Sequence, residues 1–90
     1  MTKKLWTKSG CIKCEDLKNA NIYDNLEGLV EHSIDTPEGL ALAVFYGMWT
    51  PSGLSTPCLY IGKDLEDEEV TDVNNIRLWQ DEIKEYLEEL

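Results

Sequence analysis

Apolar and polar positions change period several times along the chain, and each change marks an element. Lys3 to Thr7 is a short run around Trp6 and reads as a first strand. From about Ile12 to Asn25 the pattern turns helical, with Cys14, Leu17 and Ala20 on one stripe, and Gly28 ends it. Leu29 to Ile34 reads as a second strand, with Val30, His32 and Ile34 facing one way. Asp35-Thr36-Pro37-Glu38 is a helix start: a capping oxygen on Asp35, a proline in the first turn, and a glutamate where it can reach back to the cap. The helix that follows, Leu40 to Tyr46, is apolar nearly all round, which predicts extensive burial. Trp49-Thr50-Pro51-Ser52-Gly53 is loop chemistry. Pro57 to Ile61 is a compact strand closed by Gly62, and Glu69 to Val73 is a weaker one joined to it as a hairpin. Asn74 or Asn75 then caps a last helix, in which Ile76, Trp79, Ile83, Leu87 and Leu90 recur at helical spacing.

The element order is therefore β-α-β-α-β-β-α. A helical crossover makes the first two strands parallel neighbours, and the closing hairpin adds an antiparallel edge. This predicts an α/β domain whose helices cover both faces of a four-stranded mixed sheet. Ninety residues suit one core, so residues 1–90 are expected to form a single domain. No apolar run approaches the roughly 20 residues of a membrane span. The two lysines near Met1 precede no apolar stretch, so a signal peptide is not expected. Eighteen acids against eight bases give a net charge of −10, which argues against nucleic acid and anionic membranes as partners. A cytoplasmic, monomeric protein is the expectation. The acidic run Asp64–Glu69 reads as a solvated loop, without the glycine-hinged alternation of a calcium site.

The cysteines carry the chemistry. There are three, Cys11, Cys14 and Cys58, and an odd count is a poor disulfide framework for a secreted mini-protein. Cys11 and Cys14 form a Cys-x-x-Cys pair at the strand-to-helix junction, where Ser9-Gly10 makes the turn. Unpaired amides and the positive end of the helix dipole favour an anion there, so the Cys11 thiol should ionise below its free value of about 8.5. Lys8 and Lys13 add positive charge. Cys14, one turn later on the same face, is within reach for a disulfide. Cys11 is then the expected nucleophile and Cys14 the resolving thiol of a redox-active disulfide. The same spacing also opens zinc sites, and Cys11, Cys14, Cys58 and His32 together would make a Cys₃His set suited to tetrahedral zinc. A zinc-binding, iron–sulfur or redox-sensing module, and a non-enzymatic interaction domain, are the alternatives. Cys58 and His32 otherwise read as a small buried side chain and a strand residue. Trp6, Trp79 and Tyr60 read as core, and Trp49 as either loop packing or the wall of a substrate groove.

Leu5-Trp6-Thr7-Lys8-Ser9-Gly10-Cys11-Ile12-Lys13-Cys14 resembles the active-site segment of glutaredoxins and related small thioredoxin-like disulfide reductases. Ser55-Thr56-Pro57-Cys58-Leu59-Tyr60-Ile61-Gly62 resembles the Thr-Val-Pro strand of that family, and Val70 to Ile76 falls where it carries Gly-Gly-Cys/Ser-Asp-Asp. The resemblance implies a thioredoxin-like fold and a thiol–disulfide oxidoreductase acting on protein disulfides without a bound cofactor. It also implies a cis Thr56–Pro57 bond beside the cysteines, with Thr56 and Pro57 against the substrate and Lys8 as a carboxylate contact. The reductant it implies is glutathione or a thioredoxin reductase-like protein. Thr71-Asp72 and Asn74-Asn75 replace the residues that help the family hold glutathione, which favours the protein reductant. Leu5 stands where thioredoxins place a buried acid, so that proton relay is not implied.

Overall fold

The computed structural model describes residues 2–63 and 75–89. Its elements are β1 (Thr2–Thr7), α1 (Ile12–Asn19), α2 (Ile22–Asn25), β2 (Val30–Ser33), α3 (Pro37–Phe45), β3 (Cys58–Gly62), β4 (Ile76–Trp79) and α4 (Asp81–Glu88). The four strands form one mixed sheet in the order β2-β1-β3-β4. β1 runs parallel to β2, with Trp6 opposite His32, and antiparallel to β3, with Trp6 opposite Cys58. β3 pairs antiparallel with β4. The chain is thus an α/β domain in which β3, interior to the sheet, is buried at every position.

Strand alternation sorts the core into two layers. On one face Leu5, Leu59 and Ile61 pack with Leu17 of α1, Ile22 of α2 and Ile83 of α4. On the other Trp6, Cys58 and Tyr60 pack with Ala43 and Tyr46 of the α3 segment and with Met48. Helices cover both faces, as the period of the sequence implies.

Four expectations change. The helix expected over Ile12–Asn25 breaks at Asn21, whose backbone is left-handed with φ 58°; asparagine tolerates that conformation better than most residues. A continuous helix would rotate Ile22 about 140° away from Leu17. The break lets both reach one core, and it leaves Ala20 exposed. The helix expected from Asn75 starts instead at Asp81, and Ile76–Trp79 is the strand. Leu78 enters one layer while Trp79 packs against the other, so this stretch is apolar to both sides and its period is ambiguous over four residues. Asn75 is no cap, since its side-chain oxygen accepts from Lys63 N–H at 3.2 Å. The strand expected at Glu69–Val73, the acidic run and Asn74 lie outside the described residues.

The third change is at α3. Thr36, not Asp35, is the N-cap, its hydroxyl oxygen accepting from Gly39 N–H at 3.0 Å. The fourth is burial: α3 presses only Gly39 and Ala43 fully inward, while Val44 is 52% and Phe45 57% exposed. A helix on the outside of a sheet has one inward face, whatever its composition. Gly39 makes the approach close, because a Cβ there would collide with the Ser33 carbonyl.

Candidate functional site

β1 ends at Thr7, and Lys8-Ser9-Gly10 turns the chain into α1. Gly10 sits at φ 75°, a backbone shape that costs glycine little. Ser9 N–H donates to Asp35 Oδ2 at 2.8 Å, so the residue expected to cap α3 anchors this turn instead. Cys11 N–H donates to Lys8 O at 3.3 Å, and Cys11 arrives as the N-cap of α1.

Cys11 and Cys14 are joined as a disulfide, with Cα atoms 5.2 Å apart. Their settings differ. Cys11 is partly exposed, whereas Cys14 is 2% exposed beneath the first turn. The N–H of Cys14 donates to Cys11 Sγ at 3.2 Å, in the place an N-cap oxygen usually fills. Thr56 lies against the same sulfur: its hydroxyl donates to Cys11 Sγ at 3.7 Å, and its carbonyl oxygen is 3.8 Å away. The Thr56–Pro57 bond is cis, as the resemblance implied. Thr56 therefore borders Cys11, while Pro57, the next residue, is fully buried.

The other candidate residues sit further out. Lys8 is exposed in the turn and tied to Cys11 through its carbonyl. Lys13 makes an ion pair with Asp81 of α4 at 3.4 Å, with side chains 49% and 81% exposed, a geometry worth little in water. Trp49 is 57% exposed in the segment between α3 and β3. Trp6 and Tyr60 are core, and Trp79 packs at the edge of that core, its indole N–H donating to Met48 O at 3.0 Å.

Cys58 and His32 do not join the pair. Both lie on the Trp6 side of the sheet, His32 stacked on Trp6 at 5.6 Å, whereas α1 packs Leu17 on the other side. Among the described residues no three His, Cys, Asp or Glu side chains are grouped to hold a metal ion. Burial pushes the Cys58 thiol from an ordinary 9.0 up to about 12, which keeps it neutral.

One contributor was not legible in the sequence. Gln80 precedes α4 with φ 50° and ψ −117°, donates its N–H to Pro57 O at 2.8 Å, and places its side-chain amide 3.4 Å from Thr56 O. A non-glycine residue in that region costs on the order of 1–3 kcal/mol. A helix drawn through Ile76–Ile83 hides such a turn completely. Beside it a shallow cleft between α1 and α4 is lined by Lys13, Asp16, Leu17, Gln80, Asp81 and Lys84.

No helix among the described residues is long and apolar enough to cross a membrane. Scans against protein-family models, curated proteins and solved structures each found no match to this chain.

Proposed function

We propose that this chain is a thioredoxin-like, glutaredoxin-like thiol–disulfide oxidoreductase that works in the cytoplasm as a monomer on protein disulfides. The observation that carries the reading is the asymmetry of the two sulfurs. Cys11 is the outer one, accepts the Cys14 N–H and touches Thr56, while Cys14 is enclosed behind it. A helix-start amide aimed at a sulfur favours the thiolate, which is the attacking form. The strand order, with a parallel β1–β2 pair and an antiparallel β3–β4 edge, agrees with the fold that the resemblance implies.

The reaction runs in two exchanges. The Cys11 thiolate attacks one sulfur of a substrate disulfide, and the other substrate sulfur leaves as a thiolate. Cys14, once deprotonated, attacks Cys11 Sγ and expels the second substrate sulfur. Two electrons have then passed to the substrate, whose thiolates take up protons, and Cys11–Cys14 is oxidised. A thioredoxin reductase-like protein or glutathione returns the electrons; no bound cofactor is needed. Thr56 borders the reacting sulfur, and the exposed Lys8 and Trp49 supply further substrate contacts in this reading.

The test is turnover of insulin disulfides in the presence of a dithiol reductant. Cys11→Ser should abolish it. Cys14→Ser should accumulate a mixed disulfide between Cys11 and the substrate, visible on a non-reducing gel. A Cys11→Ser protein that reduces insulin at the wild-type rate would falsify the proposal.

A further inference from the structure

Gln80 stands in a backbone region that glycine ordinarily occupies, at the joint between β4 and α4. Its side chain is put to a specific use there. The amide Nε2 donates to Thr56 O at 3.4 Å, and that same oxygen is 3.8 Å from Cys11 Sγ. A carbonyl oxygen turned toward a sulfur opposes a thiolate, because its partial negative charge faces the anion. An N–H placed on that oxygen draws its charge away and holds its direction. Glycine would form the turn without strain, but would leave the Thr56 oxygen without this donor.

From this arrangement we infer that Gln80 is a positioning residue: it fixes the Thr56 carbonyl and offsets its charge, so that Cys11 ionises more readily. The inference rests on the dithiol reading proposed above. It does not make Gln80 a reacting group, since the residue acts on Cys11 only through Thr56.

The test follows Cys11 ionisation in the reduced full-length protein, by thiolate absorbance near 240 nm and by the pH dependence of alkylation. Wild type, Gln80→Glu and Gln80→Gly are compared, with insulin reduction measured alongside. Gln80→Glu keeps the shape and replaces the donor with an anion, so the Cys11 thiolate fraction at fixed pH below its midpoint should fall about threefold or more. Gln80→Gly should shift it the same way by less, while melting no lower than wild type. A purely structural role predicts the same stability for Gln80→Gly but an unchanged Cys11 ionisation. That result overturns the inference even when wild type reduces insulin normally, and it stays decisive should Gln80→Glu fail to fold. A wild-type protein whose Cys11 titrates like a free thiol and reduces no disulfide defeats the dithiol reading itself, and the inference with it.

Discussion

Cys58 and Trp6 face each other across the β1–β3 pairing, on the side of the sheet turned away from Leu17 and α1. Both are fully buried, and they share a layer with Tyr46 and Tyr60. Cys58 immediately follows Pro57, yet strand alternation sends its sulfur into the opposite layer from the one that α1 covers. A third thiol close in sequence to the site is thereby removed from its chemistry.

Reactivity should follow this separation. With Cys11–Cys14 oxidised, Cys58 is the free thiol of the chain, enclosed and held neutral. Alkylation needs both access and thiolate. Iodoacetamide at pH 8 should therefore modify the native oxidised protein about a thousandfold or more slower than the same protein in denaturant. Mass spectrometry of the alkylated chain decides it. Labelling of native protein at the rate of a free thiol would place Cys58 at the surface.

The same thiol makes stability depend on pH in one direction. Its pKa is about 12 when folded and 9.0 as an ordinary group, so between those values the native state holds a proton that the unfolded chain has lost. Stability contributed by the neutral thiol is complete below about pH 9 and declines as pH rises toward 12, by about 1.4 kcal/mol per unit. Urea denaturation of oxidised protein at pH 8 and pH 10.5 should show a steeper loss for wild type than for Cys58→Ala. Every other group is common to both proteins, so the difference in slope isolates Cys58. Parallel slopes would contradict the burial.

What the sequence revealed and what it hid have physical causes. The Cys-x-x-Cys turn and strands β1, β2 and β3 were legible because each rests on local signals, the period of the strands and the turn at Gly10. The cis Thr56–Pro57 bond followed only from the family resemblance. The start of α4 was not legible, since Ile76, Trp79 and Ile83 satisfy a helical spacing while a four-residue strand satisfies its own. The cue that separates them is the turn at Gln80, a residue type with no preference for positive φ. The exposed flank of α3 was hidden for another reason. Val44 and Phe45 look like core by composition, but a single helix lying on one face of the sheet has only its Gly39–Ala43 side to bury. Val44→Lys should accordingly change stability by no more than about 0.5 kcal/mol, measured by urea denaturation, where a core position would lose several times that.

Thr36 takes the capping role that the sequence pattern assigns to Asp35. Thr36 caps α3 through Gly39 N–H, while Asp35 accepts the Ser9 N–H that steadies the turn before Cys11. Thr36→Ala should cost about 1 kcal/mol, the usual value of a lost cap, in a denaturant titration. Asp35→Ala should leave α3 in place and instead speed hydrogen exchange at the Ser9 amide, read by NMR. If Asp35→Ala were the variant that unravels α3, the cap assignment would be wrong.

Gly39 offers the sharpest test of how α3 sits on the sheet. A Cβ built there overlaps the Ser33 carbonyl carbon and oxygen, which are backbone atoms at the end of β2 and have no rotamer to change. The same Ser33 oxygen accepts the Thr36 hydroxyl at 2.9 Å, so moving it also disturbs the cap. Accommodation requires α3 to lift away, which loosens Ala43 and Tyr46 from the layer that holds Trp6 and Cys58. Overpacking of this kind typically costs about 1–3 kcal/mol, and Gly39→Ala should lie at the upper end despite the better helix propensity of alanine. Cys58 supplies a second readout, because lifting α3 should raise its alkylation rate in the variant above that of wild type. A Gly39→Ala protein as stable as wild type, with Cys58 equally protected, would mean that α3 stands further from β2 than the contact with Ser33 requires.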